Sequence, residues 1–181
     1  MDIFRNILLV IVSPKYGWDE VNKSSIATQD LLARAFYPLL ALLAISEFVP
    51  MLFDSTITLA TSLMLAITSF SSYFITLYFT SFLLDGFYPE LNRTNSFNSR
   101  HNDFIIYCLI FLVLLQLLDN LLPTHFAPLY FLVFYLFYIV YCGCEFLALE
   151  RPKVRKFVVI TSLVLICTPV VIQLLLKGIF L

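Results

Sequence analysis

Residues Ile57–Leu84 read ITLATSLMLAITSFSSYFITLYFTSFLL, 28 residues without a charged side chain. A helix needs about 20 mostly apolar residues to cross the hydrocarbon of a bilayer, and a soluble core helix does not run this long uncharged. At about 1.5 Å per residue the helix would be about 42 Å long, so it tilts strongly or projects into water. Working outward, the same reading finds four more spans, at about 31–53, 104–122, 126–149 and 157–176. Continuous apolar runs such as Leu109–Leu115 exclude the alternation of a membrane barrel strand. The expected fold is an all-α membrane protein, a bundle of five transmembrane helices.

Composition agrees. Of the 181 residues, 61% are hydrophobic and 13% charged, and the mean hydropathy is +0.93. Soluble domains are about 45–50% apolar and about 25% charged. A fold of this size leaves roughly 30% of its chain surface in water, so such an excess has no place in one small core. A cytosolic enzyme and a disordered chain are excluded. The formal net charge of −1 argues against a nucleic-acid partner.

The connections are short. Asp54-Ser55-Thr56 and Pro123-Thr124-His125 each join two spans as tight hairpins, and Asp85–Asp103 is a polar loop of turn formers. Glu150–Lys156 reads as a basic link. Ten of the 11 basic residues fall on one side, from Arg5, Lys15, Lys23 and Arg34 through Arg93 and Arg100 to Arg151, Lys153, Arg155 and Lys156, and Lys177 stands alone on the other. Basic residues of short loops stay in the cytoplasm, which predicts the N-terminus inside and the C-terminus outside.

The segment 1–30 divides from the five-span domain 31–181. Ile3–Val12 is apolar but too short to span, and Pro14 stops it. It reads as a short helix in the cytoplasmic interface, with Tyr16 and Trp18 at headgroup level, or as a cap packed on the bundle. A charged linker follows. An apolar N-terminal run, then Ser13-Pro14 with Trp18 four residues later, then a charged linker and five close spans, resembles the bacterial branch of the Yip family. Eukaryotic members of that family are associated with Rab GTPases and vesicle traffic. The resemblance implies a polytopic protein without an assigned activity, in a bacterial inner membrane. The eukaryotic Asp-Leu-aromatic-Gly-Pro signature is absent, since Asp30-Leu31-Leu32-Ala33 departs from it after two residues.

Three intramembrane carboxylates are candidate sites: Glu47, Asp119 and Glu145. Depth ranks them, because a charge is most costly at a helix centre. Glu145 and Asp119 lie near the two surfaces. Glu47 is deepest, and reads as a carboxylate satisfied by water or Lys177, or as a proton or cation site. On the second span Thr58, Ser62, Ala66, Ser69, Ser72, Thr76 and Thr80 share a sector of about 120°. Such a stripe marks the central packing helix, or one wall of a solute path. Pro38 and Pro169 should kink their spans. Tyr135 and Tyr138 should point inward, towards the second span's hydroxyls.

Cys142 and Cys144 lie 200° apart on a helix and cannot chelate one ion together. Neither a metal site nor a cofactor site is expected, and no catalytic set can be assembled. The expected partners are the lipid bilayer and other membrane proteins or further copies of the chain. The favoured role is a non-enzymatic scaffold or bilayer organiser, the alternative a small oligomeric transporter or channel that uses an intramembrane carboxylate.

Overall fold

The computed structural model describes residues 2–24, 26–54, 56–88, 100–122 and 131–180. Its regular elements are all helical: α1 (Asp2–Val12), α2 (Pro14–Lys23), α3 (Thr28–Leu52), α4 (Leu59–Phe87), α5 (Arg100–Leu121), α6 (Tyr135–Phe146) and α7 (Arg151–Phe180). Four of them, α3, α4, α5 and α7, are long and apolar enough to cross a membrane. The chain is an integral membrane protein by that measure. The predicted hairpin Pro123-Thr124-His125, the beginning of the fourth predicted span at Phe126 and most of the loop between Asp85 and Asp103, Arg93 included, lie outside the described residues. The described part of the fourth span is the 12-residue helix α6, about 18 Å long.

Helix α5 is the centre of the bundle. Its residues Phe104–Val113 are buried without a break, on every side of the helix. This corrects the expectation that the second span is the central helix. An apolar run with no polar face can be enclosed by neighbours all round, whereas α4 alternates a hydroxyl face with exposed Phe74, Phe79 and Phe82. Helix α4 packs most extensively on α7, and α3 packs on both α4 and α5.

The prolines act as their chemistry requires. Pro38 has no N–H for the carbonyl four residues back, and the helix answers with a π turn at Leu32–Phe36 directly before it. Pro50 likewise cannot serve the carbonyl of Ser46, which accepts instead from the Val49 N–H at 3.0 Å. The α-helical part of α3 therefore ends at Ser46, and Glu47 takes the capping position. Pro169 stays inside α7 on its packed face, which runs Phe157, Thr161, Leu165, Pro169. The link predicted at Glu150–Lys156 is a correction too. From Arg151 it is the start of α7, because Pro152 in a first turn has no intrahelical bond to lose.

The N-terminal region differs most from expectation. The charged linker forms a second helix, α2, whose Pro14, Gly17, Trp18 and Val21 are buried at helical spacing. It folds back antiparallel on α1, with Arg5 3.4 Å from Glu20 and the Asn6 Nδ2 3.1 Å from the Ser24 Oγ. A β-carbon at Gly17 would collide with the Val10 backbone, so only glycine permits this approach. Trp18 is 2% exposed, enclosed by protein. Its ring lies 5.3 Å from Phe104 and 5.2 Å from Phe146, stacked on both, and its Nε1 donates to the Ile139 carbonyl at 3.1 Å. Tyr16 is exposed, as expected. The reading as a cap packed on the bundle describes Trp18, while α1 keeps Phe4, Leu8 and Val12 exposed on its other face. A buried carbonyl partner and three aromatic neighbours satisfy an indole more fully than a wet interface.

Candidate functional site

A polar cluster joins four helices in the half of the bundle remote from α2. It is built around Glu47, 6% exposed at the broken end of α3. The Ser69 hydroxyl of α4 donates to the Glu47 Oε1 at 2.6 Å. The Gln116 amide of α5 donates to the same oxygen at 3.1 Å and reaches the Ser69 Oγ at 3.1 Å. From α7 the Gln173 Nε2 reaches the Gln116 Oε1 and the Ser72 Oγ, each at 3.3 Å. One turn away, the Asn120 Nδ2 donates to the Ser46 Oγ at 3.0 Å. Ser69 stands ten residues into α4, about 15 Å along the helix from its start.

Each helix has a local reason to present its group. Pro50 terminates α3 so that Glu47 leaves the helical cylinder at its C-terminal turn. There the carboxylate meets the negative end of the helix dipole, so the donors from α4 and α5 carry its stabilisation. Ser69 and Ser72 belong to the hydroxyl face, and Gln173 continues the packed ridge of α7 by one more step of four residues.

The stripe on α4 divides into two kinds of residue. Ser62, Ala66, Ser69, Ser72, Thr76 and Thr80 are buried, all but Ala66 at 3% exposure or less. Thr58 is exposed and caps α4, its hydroxyl accepting from the Thr61 N–H at 3.2 Å. Within the buried part, the Ser72 hydroxyl donates to the Ser69 carbonyl at 2.9 Å and the Thr76 hydroxyl to the Ser72 carbonyl at 2.7 Å. Such bonds satisfy the hydroxyl within its own helix and leave a small, smooth surface for α7 to approach.

The three candidate carboxylates are not one site. Asp119 is half-buried one turn beyond Gln116 on α5, and Glu145 is exposed near the opposite end of the molecule. Tyr135 and Tyr138 do not meet the hydroxyls of α4. The Tyr135 hydroxyl donates to the Ile11 carbonyl of α1 at 3.0 Å, and Tyr138 is 49% exposed. The short α6 packs on α2, α7 and α5, which places its tyrosines away from α4. Among the described residues no three His, Cys, Asp or Glu side chains converge as metal ligands.

Sequence reasoning missed Gln116, Asn120 and Gln173. Their signal is present, since each is a polar side chain inside an apolar run, as in Leu114-Leu115-Gln116-Leu117-Leu118. Amides in hydrocarbon need partners as carboxylates do, at lower cost. Comparison of the chain with protein-family models, with curated proteins and with solved structures finds no match.

Proposed function

We propose that this chain is a Yip-like, non-enzymatic protein of a bacterial inner membrane, a scaffold that binds other membrane proteins or its own copies and organises the bilayer around it. It spans five times, at about 31–53, 57–84, 104–122, 126–149 and 157–176 as read from the sequence, with the N-terminus in the cytoplasm and the C-terminus outside. One observation carries the scaffold reading. The hydroxyl face of α4 is closed by packing, with Ser62, Ser69, Ser72 and Thr76 buried and the last two bonded to their own helix. A face used in this way holds a bundle together and lines no solute path.

A second reading has its own support. Glu47 gathers donors from α4 and α5 and, through Gln116, a contact with α7. An intramembrane carboxylate with partners on other helices is the usual mark of an ion or proton path. In that case the chain is a small transporter or channel, and Glu47 is its gate or relay.

Water accessibility decides between them. Single cysteines at Ser62, Ser69, Ser72, Thr76 and Glu47, in a chain otherwise free of cysteine, are challenged from each side with an impermeant thiol reagent. The scaffold reading expects protection at all five and labelling only at loop positions. Labelling that continues from Glu47 to Ser72 marks a wet path and replaces the scaffold with the transporter.

A further inference from the structure

A groove with a volume of about 880 Å³ lies at the opposite end from Glu47, between α6 and the start of α7. Its two walls are helix faces. Tyr138, Cys142 and Glu145 succeed one another on α6, and Arg151, Arg155 and Val158 on α7, at spacings of three and four residues that keep each set on one side. Lys15, next to the turn between α1 and α2, closes the third side.

Charge in this groove is graded along its length. Arg151 and Arg155 stand at the start of α7, and Lys15 lines the groove from α2. Among the described residues that line the groove, Glu145 is the single acid. Three cations against one carboxylate leave the mouth with an excess of two positive charges. Val154, between the two arginines, and Val158 and Val159 beyond them form the apolar wall of α7, faced by Tyr138 and Tyr141 on α6. The cationic mouth belongs to the basic end of the bundle, where Arg100 also lies, its guanidinium 5.9 Å from the centroid of the Phe146 ring.

We propose that this groove binds one anionic phospholipid of the surrounding membrane. The phosphate sits between Arg151, Arg155 and Lys15, and an acyl chain runs along Val154, Val158 and Tyr138. The matching features are specific to this class of ligand. A soluble anion would use the mouth and leave the apolar wall exposed, whereas a zwitterionic lipid would use the wall and leave the excess positive charge unpaired. Basic pockets between transmembrane helices at a headgroup level recognise anionic lipid heads for this reason. The inference rests on residence in a membrane and holds under either reading of function.

Cys142 supplies the readout, because it lies half-buried in the groove; Cys108 is buried, and Cys144, which also lines the groove, is removed by Cys144→Ser. Exposed Cys167 is removed by Cys167→Ser. The full chain in phosphatidylcholine discs is reacted with a neutral maleimide while phosphatidylglycerol replaces part of the lipid. The labelling rate of Cys142 should fall with phosphatidylglycerol, and inorganic phosphate added to pure phosphatidylcholine discs should leave it unchanged. Arg155→Gln should raise the phosphatidylglycerol fraction that gives half protection by about fivefold, the weight of one basic side chain near a membrane surface. Arg155→Lys should restore most of it, and Glu145→Gln should lower the fraction needed. Cys142 labelling indifferent to phosphatidylglycerol overturns the proposal. So does protection that survives Arg155→Gln unchanged, and protection by inorganic phosphate alone would make the mouth a site for free anions.

Discussion

Two side chains set the terms at the scale of single residues, and they act at opposite ends. Trp18 ties the N-terminal hairpin to α6 through one hydrogen bond and to α5 and α6 through ring contacts. These two contributions separate experimentally. Trp18→Phe keeps the aromatic stack and removes the donor to Ile139, which should cost about 1 kcal/mol. Trp18→Ala also empties the space between Phe104 and Phe146 and should cost about 3–5 kcal/mol. Unfolding in mixed micelles followed by circular dichroism measures both, and equal losses in the two variants would assign the whole effect to the hydrogen bond. Glu47 shows what a sequence does and does not reveal. Its depth and the following Pro50 were legible, since a carboxylate in an apolar run is rare and a proline ends a helix. Its partners were not, because Gln116 lies 69 residues away and Gln173 is reached only through Gln116. Nothing local in Leu115-Gln116-Leu117 says which helix that amide will face.

Elements show the same division. Long apolar stretches state their own secondary structure, because unpaired backbone groups in hydrocarbon leave no alternative to the helix. Four of the five predicted spans accordingly appear as full-length helices, each within a few residues of its predicted bounds except where polar first turns extend α5 and α7. Helix α2 escaped because its composition is polar, although Pro14, Gly17, Trp18 and Val21 repeat at the spacing of one helix face. Its exposed side carries Glu20, which bridges Lys23 of its own helix at 3.0 Å and Arg5 of α1 at 3.4 Å. The hydrogen bond from Lys23, and then the two positive charges, hold the Glu20 carboxyl below the usual carboxylate range. A carboxyl whose folded value is depressed stabilises the fold fully above its unfolded value, and that contribution disappears as the pH falls through the folded one. The pairs are exposed and screened, so the effect is small and weakens with salt. Trp18 fluorescence titrated towards acid should therefore report loosening of the hairpin in the native chain, with the corresponding acid step absent from Glu20→Gln. An identical acid limb in both would show that another group opens the hairpin.

At the scale of the whole molecule, the arrangement separates two kinds of work. The half around Glu47 is knitted across four helices by hydrogen bonds, one buried and the others half-buried, each worth on average about 0.6 kcal/mol in a membrane bundle. The other half is held by aromatic packing under the hairpin and opens into a basic groove. Charge orients this asymmetry. Lys15, Arg100, Arg151 and Arg155 are at the groove end, and Lys177 lies near the far end of α7. If basic residues stay in the cytoplasm, the groove faces the inner leaflet and the C-terminal end of α7 emerges outside. That placement requires α7 to enter from the cytoplasm, hence an odd number of crossings and a passage of the chain through the bilayer at α6. Twelve helical residues reach only about 18 Å of the roughly 30 Å hydrocarbon, so the crossing needs the residues before Tyr135 as well. Alkaline phosphatase fused to the C-terminal end should be active and green fluorescent protein at the same point dark. The converse pair of results would mean that the whole bundle sits the other way round, because Phe104 near the start of α5 and Phe157 near the start of α7 meet at 5.9 Å and the two helices begin on one side. The groove would keep its shape and its charge in that case and would face the outer leaflet, so the two fusions together test the orientation without disturbing any contact described above.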